Sequence, residues 1–399
     1  MVRYLSSGES HGPQLTVIVD GFPAGFRLDI DRINLQLRRR QTGFGRGGRM
    51  KIENDEVQVV SGLRSGVTLG SPITLVIYNR DWDNWREVMD PHEPSGGKTP
   101  RGASNTTEKL TGPRPGHADL PGSIKFGQKD IRNVLERASA RETATRVAAG
   151  CLARQFLEYF GVGFASHVIR IGEVHLDDTY DTSDLEKFAS KVEKSKVRCI
   201  DGQTGQGMVR AIESAGEKGD SLGGVVEIIV RGMPIGLGGF SQPDRRLDGR
   251  LAAAMMSIPS VKGVEFGLGF RLASLPGSLA HDEIFHDPGG RPAAKGFYRK
   301  TNRAGGIEGG MSNGEDIVIR LGAKPVSTLT RPLATVDVVT KQPATAIVER
   351  ADICIVPVLG VIGEAAAAMV LVDAFFDKFG RDNLAEIEGN YQAFLKTAF

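Results

Sequence analysis

The sequence predicts an α+β fold. Segments with strand-like β-branched enrichment and segments with helical periodicity follow one another in mixed order rather than in strict alternation. A chain of 399 residues, 40% hydrophobic and 25% charged, can bury a full core. A long run over 131–160 is apolar along one side and built centrally of small residues, which puts a helix inside that core. Length alone would permit roughly two or three domains. With no linker of disordered character, residues 1–399 read as a single domain.

Residues 14–20, Gln-Leu-Thr-Val-Ile-Val-Asp, read as a strand ended by Gly21. Residues 31–40, opening at Asp29 or Asp31 with Ile33 and Leu37 on one face, read as a short helix that ends in three arginines. Residues 56–60 and 67–78 read as strands forming a hairpin. The segment 81–128 is polar and rich in Gly, Pro, Asp and Lys; a structureless stretch of that length inside a domain is a functional lid, so it is expected to be a mobile active-site loop. Asp130 can cap a helix over 131–160, with Ile131, Val134, Leu135, Leu152 and Phe156 among its apolar residues. Further strands are expected near 164–175, 222–232, 263–270, 315–321, 333–340 and 352–358, and helices near 182–196, 206–217, 247–257, 361–379 and 382–397.

Fifty Lys and Arg against 48 Asp and Glu leave a net charge of +2, which excludes the global basic field of a nucleic-acid coat. Any anion site must be a local cluster. Cys151, Cys199 and Cys354 are odd in number, widely spaced and set in apolar stretches, so they read as reduced structural thiols rather than a disulfide frame or zinc site. Met1 to Ser6 lacks an apolar signal region, and no window is read as reaching the ~20 apolar residues needed to span a bilayer. The expectation is a cytoplasmic protein with no membrane and no nucleic-acid partner.

Two glycine motifs stand in the wrong context for their usual chemistry. Gly8-Glu9-Ser10-His11-Gly12 fits the G-x-S-x-G nucleophile elbow, but Pro13 and a strand follow it where a helix is required. Gly43-Phe44-Gly45-Arg46-Gly47-Gly48 fits G-x-G-x-x-G, but it follows a helix and precedes a strand, the reverse of a dinucleotide fold. Segment 38–51 carries Arg38, Arg39, Arg40, Arg46, Arg49 and Lys51 with no acid. That is a solvated basic face, an Arg-Gly RNA-binding tract, or a site for a polyanion bound through guanidinium forks. Arg39, Arg40, Arg46 and Arg49 are the candidates, with Arg114 and Arg141 as weaker additions. His11, between glycines in a loop, and His117, after Pro115-Gly116, titrate in the right range for acid–base work, but a lone loop histidine is more often solvent-facing than catalytic.

Gly8 to Gly12, Arg137-Ala138-Ser139-Ala140-Arg141-Glu142-Thr143 and Arg350-Ala351-Asp352-Ile353-Cys354 together resemble the signature blocks of the chorismate synthase family. The resemblance extends through Arg38 to Gly43, Gly112 to Asp119, Thr301 to Gly314 and Lys324 to Thr328, and so covers the whole chain. It implies a β-α-β sandwich with a helical core between antiparallel sheets and an internal pseudo-repeat. It implies conversion of 5-enolpyruvylshikimate 3-phosphate to chorismate, a 1,4-elimination of phosphate that needs reduced FMN without consuming it. By resemblance His11 protonates the departing phosphate, His117 serves the N1 edge of the flavin, and Asp352 assists loss of the C6 proton. Arg40 and Arg46 are where the family contacts the NADPH phosphate. The flavin contacts carried over are Arg137, Ala138, Ser139, Pro259, Ser260, Gly309, Lys324, Pro325, Val326, Ser327, Thr328 and Arg350, with backbone contact alone at Pro259 and Ser260. The resemblance also implies a homotetramer, NADPH as an indirect reductant and an external flavin reductase. A flavin-dependent oxidoreductase and an RNA-binding module are the competing readings.

Overall fold

Over residues 1–47, 54–92, 109–177, 180–348 and 352–397, which the computed structural model describes, the mixed order of elements resolves into two antiparallel sheets with helices between them. In the first sheet the strands lie in the order Arg3–Ser7, Gln14–Asp20, Ile73–Tyr78, Val57–Ser61. Leu15, Val17 and Val19 alternate inward and are buried, while Leu5 and Ile18, paired across the first two strands, face outward. The second sheet runs Val261–Phe266, Ile317–Ala323, Gly224–Arg231, Gly163–Ile171, Val174–His175. Its central strands are buried on both faces, because the helix Leu185–Glu193 covers the side turned away from the core.

Between the sheets lie two helices. Thr143–Tyr159 packs on the first sheet, Val356–Phe379 packs on the second, and the two pack on each other. Their contact is built from small residues: a Cβ added at Gly150 would come within 2.6 Å of the Ala365 backbone and side chain. At the far end Phe156, Phe160, Phe375, Phe376 and Tyr391 close the core in tilted and edge-on ring contacts.

The α+β expectation and the sandwich layering agree with this architecture, but several elements differ from their expected form. The helix expected over 131–160 is broken. Arg132–Ala138 ends at Ser139, which is extended, and the chain restarts through a short 3-10 turn into Thr143–Tyr159. The Ser139 hydroxyl accepts the Arg141 N–H, the kind of local side-chain bond that competes with helix continuation. No strand forms at 352–358: Val356 opens the helix Val356–Phe379 with Pro357 in its first turn, where a missing N–H costs nothing. β-branched composition misled there. Val57–Ser61 pairs with Ile73–Tyr78, but the hairpin is interrupted, since Leu63–Arg64 and Val67–Leu69 form a separate small sheet with Ala24–Arg27. Segment 81–128 contains the helices Trp82–Met89 and Asp119–Phe126, while 93–108 lies outside the described residues. Val356–Phe379 also corrects the reading that no window is long and apolar enough to cross a bilayer; it is 24 residues long and 89% of its most apolar window is buried inside the protein. Cys151, Cys199 and Cys354 are free and buried, and burial pushes the Cys354 thiol up to about 12.

Gly150→Ala should force the two core helices apart and lower unfolding stability by roughly 1–3 kcal/mol, as overpacking does. Gly389→Ala, on the exposed helix Leu384–Lys396 where an added Cβ meets nothing within 4 Å, should instead raise it by up to ~1 kcal/mol. Urea denaturation of the two variants beside the parent protein checks both signs.

Candidate functional site

His11 sits in the loop after the first strand and is held by a residue that sequence reasoning passed over. The buried Glu136 carboxylate accepts the His11 main-chain N–H at 2.8 Å and lies 2.8 Å from His11 Nδ1. Trp85, on the helix Trp82–Met89, stacks on the imidazole at 3.7 Å between ring centres. Arg137 fastens the same loop by donating to the Ser6 and Gly8 carbonyls at 3.0 and 3.2 Å.

His117 is held in a parallel way at the start of Asp119–Phe126. Its Nδ1 lies 2.5 Å from Asp119 Oδ1, and Arg114 donates to the same carboxylate at 2.8 Å through Nε. Burial alone would raise the Asp119 carboxyl, but its hydrogen bonds to His117 and Arg114 and their charges hold it well below the usual carboxylate range. Arg114 Nη1 also donates to Thr328 Oγ1 at 3.0 Å, joining this histidine to the 324–328 segment. Ser327 Oγ donates to the Gly116 carbonyl at 3.0 Å, and Lys324 Nζ donates to it too. Lys324 N–H in turn donates to Ser260 O at 2.9 Å.

Pro259, next to Ser260, lines a cavity of about 300 Å³ together with Tyr4, Ser6, Arg137, Ala138 and Arg146. Arg137, Ala138, Pro259, Ser260, Lys324, Ser327, Thr328, His11 and His117 are thus linked by direct contacts, as chain neighbours or, for Pro259 with Arg137 and Ala138, as walls of the one cavity. Ser139 follows Ala138 and caps the next turn. Pro325 and Val326 lie inside the 324–328 segment, with Ser221 donating to the Val326 carbonyl at 2.7 Å. Gly309 turns the hairpin between Ile307–Glu308 and Met311–Ser312 at φ +58°, and no described contact brings it to the cavity. Arg49 and Arg350 lie outside the described residues.

The arginines of 38–51 separate. Arg46 meets Asp352 at 2.9 Å, and the same carboxylate accepts the Gly47 N–H at 2.7 Å, so two candidates from opposite ends of the chain share one contact. Buried Arg40 donates through Nε to Thr143 Oγ1 at 3.1 Å and lies 3.6 Å from Asp55, which also pairs with Arg141 at 2.7 Å. Arg39 is turned away from both. It pairs with Glu364 at 2.9 Å and Glu193 at 2.7 Å, inside a core network completed by Arg154 and by Ser166. The expectation that Arg39 stands with Arg40 and Arg46 is corrected by helix geometry, because adjacent residues point about 100° apart.

A family model described as chorismate synthase matches residues 2–376. The chain belongs to the chorismate synthase family. The chorismate synthase of Geobacter metallireducens is 50% identical over 398 residues, covering 99% of this chain and 98% of that protein. That of Moorella thermoacetica is 52% identical over 394 residues, with 99% and 98% covered. A solved structure titled "Crystal Structure of Chorismate Synthase" superposes with a TM-score of 0.77 at 38% identity over 99% of this chain and 97% of its own. Membership in the chorismate synthase family makes the protein an enzyme, a lyase working at the last step of the shikimate pathway.

Glu364 generates a pH prediction. Burial would raise its carboxyl, but the charges of Arg39 and Arg154 outweigh that and hold it at about 2, against 4.5 for an ordinary glutamate. A depressed carboxyl contributes stability that is present above about 4.5 and lost as pH falls toward about 2. Glu364→Gln should therefore destabilise the protein at neutral pH by up to roughly 3–5 kcal/mol, because Arg39 and Arg154 lose the carboxylate they share and keep only Glu193 and Glu158. It should also flatten the acid limb of the stability profile over that window, as read by chemical denaturation at a series of pH values.

Proposed function

We propose that phosphate is expelled from 5-enolpyruvylshikimate 3-phosphate, in an anti-1,4-elimination giving chorismate, at the residues that join His11 and His117, with reduced FMN bound in the adjoining cavity. The observation that carries this reading is the pair of histidines, each held at Nδ1 by a buried carboxylate: Glu136 precedes the cavity-lining Arg137 and Ala138, and the His117 segment reaches Ser260, next to cavity-lining Pro259, through Lys324. The residues fit a flavin nucleotide. The cavity volume falls within the ~300–1,000 Å³ of small-molecule sites, and Arg137, Lys324, Ser327 and Thr328 are suited to a phosphate or a pyrimidine edge.

Reduced FMN, which Arg137, Lys324, Ser327 and Thr328 would hold, would supply transient electron donation to the substrate with no net redox change. The protein's own part is acid–base and electrostatic. His11 gives a proton to the departing phosphate oxygen, and His117 holds a proton toward the N1 edge of the flavin. Asp352 relays the C6 proton, its carboxylate aimed by Arg46 and the Gly47 N–H. Arg40 and Arg46, with Arg49, bind a substrate carrying about four negative charges, and guanidinium forks match both its phosphate and its carboxylates. Arg350 completes the flavin contacts. NADPH acts only as an indirect reductant through an external flavin reductase, and the protein works as a cytoplasmic homotetramer.

The deciding experiment is anaerobic turnover with pre-reduced FMN and substrate in excess over flavin. Chorismate should form in excess of flavin with no net oxidation, whereas product limited to one equivalent of reductant would mean true hydride transfer and a flavin oxidoreductase instead. His11→Ala should slow single turnover by roughly 10²–10⁴. Asp352→Asn, which keeps an acceptor for the Gly47 N–H but loses the charge, should bind substrate nearly normally and show an enlarged deuterium isotope effect with substrate labelled at C6. In His11→Ala the same isotope effect should shrink. Wild-type isotope effects and rates in both variants would dismiss these roles.

A further inference from the structure

Building on the reading of His11 as the proton donor, we infer that Glu136 is its positioning residue. The carboxylate holds the Nδ1 proton and the main chain of His11, so the ring gives a proton from Nε2 in its doubly protonated form and is left as the neutral Nδ1–H tautomer once the departing phosphate has taken it.

The geometry ties ring to backbone. One Glu136 oxygen accepts the His11 main-chain N–H at 2.8 Å, so the carboxylate plane is set by the peptide before the ring is considered. His11 Nδ1 then lies 2.8 and 3.0 Å from the two oxygens. An ionised carboxylate only accepts, so the atom facing it must be Nδ1–H rather than a lone pair. Trp85 closes one face of the imidazole with its plane 21° from parallel, and is itself anchored by donating from Nε1 to Asp81 at 3.0 Å. Rotation of the ring away from Glu136 would break the stack and the Nδ1 bond together.

Burial gives the second line. Glu136 is 1% exposed, and among the described residues no lysine or arginine pairs with it. Asp119, which holds His117, is different, because Arg114 already neutralises it. A buried carboxylate whose described side-chain partner is one histidine acts through that histidine. The helix Arg132–Ala138 gives the third line. The Glu136 carbonyl accepts the Ser10 N–H at 3.0 Å, and Arg137 grips Ser6 and Gly8, so helix and loop form one rigid mount for the ring.

The test is imidazole nitrogen NMR on the full-length chain labelled with ¹⁵N-histidine, with His11 assigned by its absence in His11→Ala. In the parent protein neutral His11 should carry its proton on Nδ1. Glu136→Gln can keep its oxygen on the His11 main-chain N–H and turn its amide N–H toward Nδ1, so the proton should move to Nε2. With it kcat should fall roughly 10²-fold, while KM for substrate stays near the parent value. Glu136→Asp, which keeps a carboxylate, should restore the Nδ1–H signal and part of kcat. A parent protein with neutral His11 protonated on Nε2 overturns the inference whether or not any variant folds. So does a Glu136→Gln enzyme that loses activity with its tautomer unchanged, since the loss would then be structural. If the tautomer flips but His11→Ala turns over at the parent rate, Glu136 positions His11 as inferred and the proton-donor reading of His11 is what fails.

Discussion

The close approach of Thr143–Tyr159 and Val356–Phe379 governs everything else in the molecule. Each helix carries one sheet, so the distance between helices sets the distance between sheets. Ala148, Ala149 and Gly150 on one side and Ala365, Ala367 and Ala368 on the other are buried, and they leave the backbones almost in contact. Into this narrow seam the chain places a charge. Glu364 meets Arg39 from a third helix and Arg154 from the facing one. Desolvating such a group is costly and hydrophobic replacements often match it in stability. Its distinctive effect is on register, because sliding either helix by one turn would separate Glu364 from Arg154 and break the buried contact between the two helices. The site inherits that register, since the cavity wall at Ala138 lies just before Thr143–Tyr159 and Asp352 just before Val356–Phe379.

Three consecutive arginines at 38–40 show why a run of charge in sequence is a poor measure of charge at a site. On a helix they diverge. Arg38 is exposed, Arg39 enters the seam against Glu364, and Arg40 reaches Asp55 and Thr143. Only Arg40 of the three shares its carboxylate with Arg141, and Arg46 beyond the helix end finds Asp352 from the far end of the chain. A count of six cations in fourteen positions thus overstates a common site, whereas helical phase would have separated Arg39 at once.

The fold was legible where one periodicity dominated. Gln14–Asp20 has the bounds expected from its β-branched enrichment and the following Gly21, and Leu247–Met256 differs from its expected range by one residue at one end. It was illegible where a local bond or a long-range contact overrode composition. Ser139 breaks a run of good helix formers through its own hydroxyl, and Val356 and Val358 join a helix because packing between sheets outweighs their strand preference. At the site, motif recognition named His11, His117, Arg46 and Asp352 but not that the last two touch. Asp119 was accessible, two residues after His117 and able to meet it within one turn. Glu136 was hidden: it directly precedes the block Arg137 to Thr143, yet nothing in its spacing links it to a loop at residue 11. That link exists only once the first strand and the helix Arg132–Ala138 are brought together by Arg137.

The arginines described at this site do not wait unpaired for an anion. Arg46 rests on Asp352, Arg40 and Arg141 on Asp55, and Arg114 on Asp119. Buried or half-buried guanidinium groups without partners would cost several kcal/mol each in desolvation, so internal carboxylates keep the forks oriented without that penalty. The same pairing makes binding an exchange, because an incoming phosphate or carboxylate competes with an aspartate already in place. A singly charged ligand gains little from such an exchange. A ligand with several anionic groups engages several forks at once and replaces enough internal pairing to repay its own desolvation. A carboxylate relieved of its arginine is then the group best placed to accept a proton, and on the proposed roles Asp352, released from Arg46, would stand in that position. On the roles proposed for these residues, electrostatic selection of a polyanion and activation of a base would be a single event, tying catalysis to the charge of the substrate rather than to its size.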